Sequence, residues 1–398
     1  MQYPRVEAGE YDGMLDGYKL YDADAHVLMT PEMWATLPER FALRRPRPVR
    51  IGDSGDLRAW QTSWLLDGQL QPHPYGPGTH AANTPGMVLE EYGADPHSAG
   101  DFTAFPMSIG CATLEDVPAR LDAIDKLGID VQVLFPSTVY AQMSNDPFLE
   151  AALFRAYNRY VAERCAQAPK RLRWAGLLPM RDTAVALEAL KELRELGAAT
   201  VVLYGTVGHE MLSAERFTPI WDALAETGLP VCVHMAMSYP PFADLCHTIQ
   251  DSNMIGKALP AQLAFVAIFG HGLFTRYSKM KIAFLEFGGE WIFYSVGRMT
   301  HYAELNRGRM PNPASLGTAA IGDVIRNGRF YLAVESSDKM MAQELALLGD
   351  GQILYSSDFP HGEGRDSAAA EVIARTDITR EQKQQVLYGN AAAFFGEP

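Results

Sequence analysis

Cysteine is scarce in this 398-residue chain, and its four cysteines are far apart. No Cys-x-x-Cys pair occurs, so the sequence indicates neither a zinc ribbon nor a disulfide framework. Scattered cysteines fit a reducing compartment, and we predict a cytoplasmic location. The N-terminus has no basic segment followed by an apolar one, which argues against a signal peptide.

Long apolar runs and an excess of basic residues are also missing. No run of apolar residues is long enough to cross a bilayer, so we expect no membrane-spanning helix. The chain has 34 Lys and Arg against 48 Asp and Glu, and the net charge of −14 argues against a general nucleic-acid binder. No glycine-rich phosphate loop follows a predicted strand, which disfavours a doubly wound nucleotide-binding sheet.

What the chain does contain is a regular alternation of short apolar strands with helices. Strands are predicted at 21–26, 131–136, 172–177, 200–204, 230–234, 281–286, 330–335 and 353–358. Nearly continuous apolar strands are typical of parallel sheets that are buried on both faces. Eight strand–helix units predict an α/β protein with a (β/α)8 TIM-barrel fold, in which residues 1–398 form a single domain. A doubly wound open sheet is the alternative.

A long segment after the first strand interrupts this alternation. Residues 30–114 are rich in Pro, Gly, His and Trp. Connections of this length are uncommon and are usually functional or disordered, and the aromatic residues argue against disorder. We predict an insertion that forms a lid over the barrel mouth, with an ordered but functionless elaboration as the alternative.

Four arginines stand out within this insertion of an acidic chain: Arg44, Arg45, Arg47 and Arg50. The planar guanidinium group matches the geometry of phosphate. The functional interpretation is a substrate-binding clamp for the phosphates of coenzyme A, and the alternative is a solvated loop.

Polar residues occur at five of the predicted strands. Asp22, Asp24 and His26 alternate along the first strand, so we expect them to share one face. The fifth to eighth strands end, in order, in His234, Glu286, Glu335 and Asp358. Active sites of parallel barrels lie at the carboxyl ends of the strands, so these groups are predicted to meet at one mouth. Each also has a structural interpretation, as a core histidine, a salt-bridge partner or a helix cap.

A metal ion is the simplest partner for such a set. Two imidazoles with several carboxylates suit Fe, Mn or Zn. The predicted ligands are Asp24, His26, His234, Glu286 and Asp358. Asp22, Glu335 and His361 are the further catalytic candidates, and His361 is interpreted as a ligand, a proton shuttle, an outer partner of a ligand or an exposed loop residue.

Three motifs resemble amidohydrolase family 2, a TIM-barrel branch of the metal-dependent amidohydrolase superfamily. They are Asp22-Ala23-Asp24-Ala25-His26, Leu285-Glu286-Phe287-Gly288-Gly289-Glu290-Trp291 and Ser357-Asp358-Phe359-Pro360-His361. The resemblance covers the first strand and about residues 115–396. It implies that Asp24, His26, His234 and Asp358 occupy metal positions of the family.

The sequence departs from the family pattern at three positions. Asp24 replaces the first histidine of the usual His-x-His, Glu286 replaces a histidine on the sixth strand, and Met29 replaces a frequent glutamate. This carboxylate-rich pattern is similar to TIM-barrel nonheme diiron monooxygenases of the platensimycin-pathway type. That resemblance implies one or two iron ions, with Zn or Mn as alternatives. It also implies dioxygen as co-substrate and hydroxylation of a bulky, CoA-linked, diterpenoid-like substrate.

Two other functions stay open. One is a metal-dependent hydrolase or decarboxylase that acts on a carboxylic acid, an ester or an amide, with Asp358 as general base. The other is a non-catalytic barrel with a degenerate metal site. In all the enzymatic interpretations the partner is a small molecule, with no nucleic acid and no membrane, and a homo-oligomer stays open.

Overall fold

Eight parallel strands form the central sheet of the computed structural model, which describes residues 15, 17–50, 62–71, 108–137, 141–306, 321–361 and 366–398. In chain order these strands are β1 (Tyr21–Val27), β2 (Val131–Pro136), β3 (Leu172–Leu177), β4 (Thr200–Leu203), β5 (Val231–His234), β6 (Ile282–Leu285), β7 (Phe330–Val334) and β8 (Ile353–Tyr355). Each pairs with the next in parallel.

The two ends of the sheet meet next to the strand ends that carry the polar residues. The backbone amide of Asp358 donates to the carbonyl of Asp24 (3.0 Å), and the amide of His26 donates to the carbonyl of Phe359 (2.6 Å). These bonds join β1 to the segment after β8. The predicted (β/α)8 barrel is therefore confirmed.

Helices cover the outside of the barrel between the strands. The longer ones are Val117–Lys126, Pro147–Cys165, Thr183–Glu195, Thr218–Thr227, Ala258–Phe265, Trp291–Leu305 and Met341–Leu348. Shorter helices are Ile109–Thr113, Pro240–Ala243, Ile249–Asp251, Leu273–Arg276, Ile321–Ile325, Ala368–Ala374, Arg380–Gln384 and Asn390–Phe395. Ser252–Lys257, Val266–Gly270 and Gln385–Gly389 are π-helical, and Glu32–Trp34, Glu39–Arg44 and Glu215–Phe217 are 3-10 helices.

Several helix ends follow from the local sequence. Gly128, Gly197 and Gly228 come directly after helices or their last turn and have φ angles of 69°, 79° and 71°, which cost a glycine little. At the other end, the Asp146 carboxylate accepts from the amides of the first turn of Pro147–Cys165, and Asp182 does the same for Thr183–Glu195. These signals separate one strand–helix unit from the next.

The described part of the insertion contains a small antiparallel sheet that the sequence interpretation did not predict. Its strands are Arg47–Arg50, Thr62–Leu66 and Gln69–Gln71. The hydroxyl of Ser144, in the segment after β2, donates to Asp67 at the turn of this sheet (2.5 Å). The sheet therefore lies beside the carboxyl end of β2, while residues 51–61 and 72–107 of the predicted lid lie outside the described residues.

One helical segment within the described residues, Ser252–Gly270, is long and apolar enough to cross a membrane by length and composition. Its side chains Ala264, Phe265 and Phe269 are nevertheless fully or almost fully buried in the barrel's hydrophobic core. Other residues of the segment, such as Met254, are exposed. Since core helices pass the same test, the segment is only weak evidence for a membrane span.

The segment directly after β4 packs closely against helix Ala258–Phe265, and this contact generates a stability prediction. A Cβ atom added to Gly205 would lie 2.2 Å from the carbonyl oxygen of Pro260, a backbone atom that cannot move aside cheaply. We expect Gly205→Ala to lower the free energy of unfolding by about 1–3 kcal/mol. Gly297→Ala is the matched control, because open space surrounds Gly297 in helix Trp291–Leu305 and alanine stabilises a helix interior. Thermal and denaturant unfolding measure both effects; equal melting temperatures would contradict the packing argument.

Candidate metal centre

Five strand-end residues converge on one point at the carboxyl end of the barrel, which we call the central cluster: Asp24, His26, His234, Glu286 and Asp358. Asp24 and His26 belong to β1, His234 ends β5, and Glu286 follows β6 directly. One ligand atom from each of Asp24, His26, His234 and Glu286 lies within 4.8 Å of the others. A second group of the same spacing combines His26, Glu286 and Asp358 with His361. The structure thus brings together every residue that the sequence predicts as a ligand.

The two histidines of the cluster each face two or more carboxylates. His26 Nε2 lies 3.1 Å from Asp358 Oδ1 and 3.5 Å from both Asp24 Oδ1 and Glu286 Oε2. His234 Nε2 lies 3.3 Å from Asp24 Oδ1 and 3.1 Å from Glu286 Oε2. The imidazole and carboxylate atoms therefore surround a common centre.

Two of the carboxylates reach this centre through unusual backbone conformations. Glu286 has a φ of 62° and Asp358 a φ of 54°, in the left-handed region that non-glycine residues rarely adopt. Residues in this region cluster at functional sites, where the surrounding structure holds them in place. Glu286 comes directly after β6 and Asp358 three residues after β8, and both side chains belong to the cluster.

Buried polar atoms without partners show what the cluster lacks. Within the described residues, Asp24 Oδ2, Asp358 Oδ2 and both ring nitrogens of His26 are buried and have no hydrogen-bond partner. A buried polar atom that makes no bond costs free energy, and a buried carboxylate costs more. A divalent cation compensates both, and it prefers a set of imidazole nitrogens and carboxylate oxygens such as this one. The residues present fit a divalent metal ion.

The protonation of His26 agrees with this fit. Burial, together with the charge on His361, lowers the pKa of His26 to about 4, so its ring is neutral at neutral pH as a metal ligand must be. Burial opposes ionisation of Asp358, but the charge and hydrogen bond of His361 and the nearby ring of His26 lower its pKa. Burial is the largest single effect on His234 and lowers its pKa, but the Asp24 carboxylate, the carbonyl of Met235 and the charge of Asp358 together outweigh burial and raise it.

His361 lies beside the centre and connects it to a residue that the sequence interpretation missed. His361 Nδ1 is 2.8 Å from Asp358 Oδ1, and His361 Nε2 is 3.0 Å from the hydroxyl of Ser137. The ring also stacks on His26, with ring centroids 3.9 Å apart. Both nitrogens of His361 therefore have polar neighbours, and the interpretation as an exposed loop residue does not describe its buried position.

Asp22 is fully buried and is held by donors from neighbouring strand ends. Its carboxylate accepts from the amide (2.9 Å) and the hydroxyl (2.5 Å) of Ser357 and from Gln132 Nε2 (2.9 Å), and Gln132 in turn accepts from Arg120 Nε (3.0 Å). Burial raises the pKa of Asp22 to about 7, against the lowering effect of the Ser357 and Gln132 bonds. Polar Gln132 within an otherwise apolar buried strand was the sequence signal for this network.

Glu335 lies on the wall of a cavity next to the cluster. The cavity has a volume of ≈ 250 Å³ and reaches Glu286 and Asp358. Its apolar lining includes Met235, Phe287 and Val334. The Glu335 side chain is exposed, and Ser337 Oγ lies 3.4 Å from its Oε2. The cavity gives a small substrate a place beside the predicted metal ligands.

The arginine cluster lies within the insertion, on the 3-10 helix Glu39–Arg44 and the strand Arg47–Arg50 that follows it. Arg44 pairs with Asp67 (2.7 Å) and with Asp146 (2.6 Å), which raises its pKa through those bonds. Arg45 and Arg47 are exposed, and the side chain of Arg50 lies outside the described residues. Since Arg44 is already paired with two carboxylates, the described contacts do not support the predicted clamp for CoA phosphates.

The geometry predicts that loss of one ligand weakens metal binding. Replacing His234 by Gln removes an imidazole that faces Asp24 and Glu286. We expect metal affinity to fall at least about tenfold, measured as metal content after equilibrium dialysis against a competing chelator. His271→Gln is the matched control, because exposed His271 contacts Ser213 away from the cluster. Unchanged affinity in His234→Gln would remove His234 from the ligand set.

A separate prediction distinguishes Asp22 from the ligands. In Asp22→Asn an amide nitrogen would face donors of Ser357 or Gln132, so we expect a loss of about 1–3 kcal/mol in unfolding free energy with metal content unchanged. Melting temperature and metal analysis on the same samples test this. Wild-type stability combined with lost activity would instead support the catalytic role that the sequence predicts for Asp22.

Comparisons with known proteins overturn the oxygenase prediction. A curated γ-resorcylate decarboxylase from Polaromonas sp. (strain JS666 / ATCC BAA-500) is 27% identical over 292 residues, which cover 69% of this chain and 86% of that protein. The similarity is to a decarboxylase, so the predictions of a diiron monooxygenase, of an oxidoreductase and of iron as the metal are wrong. The carboxylate-rich ligand set misled the interpretation, because it suits several divalent metals and reactions equally.

Solved structures show the same fold. An amidohydrolase from Mycobacterium avium subsp. paratuberculosis K-10 superposes with a TM-score of 0.73 at 19% identity, covering 96% of this chain and 100% of that one. The 5-carboxyvanillate decarboxylase from Novosphingobium aromaticivorans DSM 12444, complexed with manganese and 4-hydroxy-3-methoxy-5-nitrobenzoic acid, gives 0.70 at 16% identity, covering 98% and 99%. The amidohydrolase (Amidohydro_2) family model matches residues 114–396. The chain therefore belongs to this amidohydrolase family.

Proposed function

We propose that this protein is a metal-dependent decarboxylase of a small aromatic acid, such as a hydroxylated benzoate. The observation that carries the proposal is the central cluster, whose buried and partnerless carboxylate and imidazole atoms require a cation next to a small cavity. The similarity to γ-resorcylate decarboxylase favours decarboxylation over hydrolysis. Manganese is the metal that we propose, by analogy with the related 5-carboxyvanillate decarboxylase structure.

The proposed substrate fits the charges around the cavity. A bound divalent cation would supply a positive charge that attracts and orients an anionic substrate. The apolar residues Met235, Phe287 and Val334 would contact the aromatic ring and exclude water. Glu335 and Glu286 leave the cavity acidic, so a substrate that carries several negative charges, such as a CoA thioester, is disfavoured.

Asp358 and His361 would handle the proton of the reaction. Decarboxylation breaks the bond between the ring carbon and the carboxylate, releases CO2 and leaves an electron pair that must accept one proton. The Asp358 Oδ1 and His361 Nδ1 atoms lie 2.8 Å apart, so they can hold that proton between them and deliver it to the ring carbon. Ser137, at 3.0 Å from His361 Nε2, would fix the orientation of the ring.

Other parts of the proposal follow from the position of the cluster. The insertion sheet lies beside the carboxyl end of β2 through the Asp67–Ser144 contact, which supports a lid over the barrel mouth. A cytoplasmic location fits four free cysteines that are all buried.

Decarboxylation is tested by incubating the manganese-loaded protein with γ-resorcylate, 5-carboxyvanillate and related phenolic acids. We expect CO2 and the matching phenol at equal rates in air and under anaerobic conditions. In D2O the product should carry deuterium at the carbon that lost CO2. Hydrolysis of an ester or amide analogue without any decarboxylation would overturn the proposal.

The proposed proton path makes a further kinetic prediction. His361→Gln should lower kcat by about 100- to 10,000-fold while retaining the metal, because the proton donor is lost and the predicted ligands of β1 and β5 remain. His271→Gln is again the control, with wild-type kcat expected. A His361→Gln enzyme with unchanged kcat would exclude this proton path while leaving the decarboxylase proposal intact.

A further inference from the structure

A second acidic cluster lies outside the central one, at the same end of the barrel. It consists of Glu290, Asp338 and Glu344, with one carboxylate oxygen from each lying within 4.8 Å of the others. Glu290 follows β6, Asp338 follows β7, and Glu344 belongs to helix Met341–Leu348. The cluster therefore links the connection after β6, which contains Glu286, to the connection after β7, which contains Glu335.

Glu344 is the unusual member, because its side chain is completely buried. Neither of its oxygens has a hydrogen-bond partner among the described residues. The nearby guanidinium of Arg375 is bonded elsewhere, to the Asp377 carboxylate (2.7 Å) and the carbonyl of Asp338 (2.6 Å). A buried carboxylate with no donor needs a compensating positive charge or a proton.

The backbone around Glu344 is shaped to receive its carboxylate. A Cβ atom at Gly289 would lie only 1.9 Å from Glu344 Oε1, so this position has to be glycine for the carboxylate to stay where it is. The amide of Gly289 donates to Asp338 Oδ2 (3.0 Å), and the amide of Met340 donates to Asp338 Oδ1 (2.7 Å). Backbone bonds thus hold Asp338, and the absence of a Cβ at Gly289 leaves room for Glu344 beside it.

We propose that Glu290, Asp338 and Glu344 bind a hard divalent cation of the Ca²⁺ class. All the donors are carboxylate oxygens, which suit Ca²⁺, whereas the central cluster also offers imidazoles. The cation would tie the β6 connection to the β7 connection. It would thereby support Glu286, which lies four residues before Glu290 on a strained backbone. This site does not depend on the reaction proposed for the central cluster.

A proton is the competing occupant. Burial and the adjacent Asp338 raise the pKa of Glu344 to about 9, so without a cation this side chain keeps a proton at neutral pH. Glutamine is close in shape to a protonated glutamate but is a poor Ca²⁺ ligand. Glu344→Gln therefore separates the two occupants.

The test is calcium binding by the manganese-loaded protein, measured by equilibrium dialysis with radioactive calcium and by melting temperature. We expect the wild type to bind one Ca²⁺ per chain that Glu344→Gln binds about 10- to 100-fold more weakly. Calcium should raise the melting temperature of the wild type but not of the variant. Glu304→Gln, an exposed glutamate on helix Trp291–Leu305, removes the same charge and should behave as wild type.

Gly289→Ala is the second variant, since its methyl group would push the Glu344 carboxylate out of position while leaving every charge present. It should lose the same calcium ion. Equal calcium binding by the wild type and Glu344→Gln, or no binding by the wild type, would overturn the proposal. A melting temperature of Glu344→Gln at or above that of the wild type, with and without calcium, would overturn the calcium site and show that Glu344 instead carries a proton beside Asp338.

Discussion

The structure of the barrel mouth depends on electrostatic repulsion between carboxylates that meet in one cluster. Carboxylates of Asp24 and Glu286 meet within 4.8 Å inside a buried cluster. Two negative charges at that spacing repel by about 3–4 kcal/mol at the effective dielectric constant that suits protein sites. His26 does not neutralise them, because its pKa near 4 leaves the ring uncharged. His234 counters part of the repulsion, because its ring contacts both carboxylates and its pKa is raised. A divalent cation carries twice the charge of one protonated imidazole and would offset both carboxylates.

Backbone hydrogen bonds hold these carboxylate-bearing segments close together in spite of the repulsion. The amide of Asp358 bonds to the carbonyl of Asp24, so the closure of the barrel places one carboxylate-bearing segment directly against another. Behind them, Ser357 and Gln132 donate to Asp22, and Arg120 is buried within the same network. The hydrogen bonds to Asp22 thus hold the strand ends from behind the cluster. The Asp24 and Asp358 carboxylates, which face the centre, each keep one oxygen without a hydrogen-bond partner among the described residues.

Sequence reasoning predicted the elements whose signals are local. Apolar strands such as 131–136 and 172–177 and helix-ending residues such as Gly128 gave the barrel, and strand-end polarity gave Asp24, His26 and His234. What it missed depends on tertiary contacts. The partner of His361 is Ser137, which lies 224 residues earlier in the chain, and no periodicity connects the two. The insertion sheet was missed because its short strands stand among Pro- and Gly-rich segments.

The reaction could not be predicted from the ligand set, because donor atoms select a metal class more strongly than they select a chemistry. Asp24 and Glu286 in place of histidines add negative charge, and the sequence interpretation took this as a sign of iron and dioxygen. The same charge serves a different purpose beside a small cavity. In the proposed function it would hold a cation, while the apolar side chains of Met235, Phe287 and Val334 would contact an aromatic ring. Reaction type is decided by what the cavity admits next to the Asp358–His361 pair, and that is a property of the folded chain.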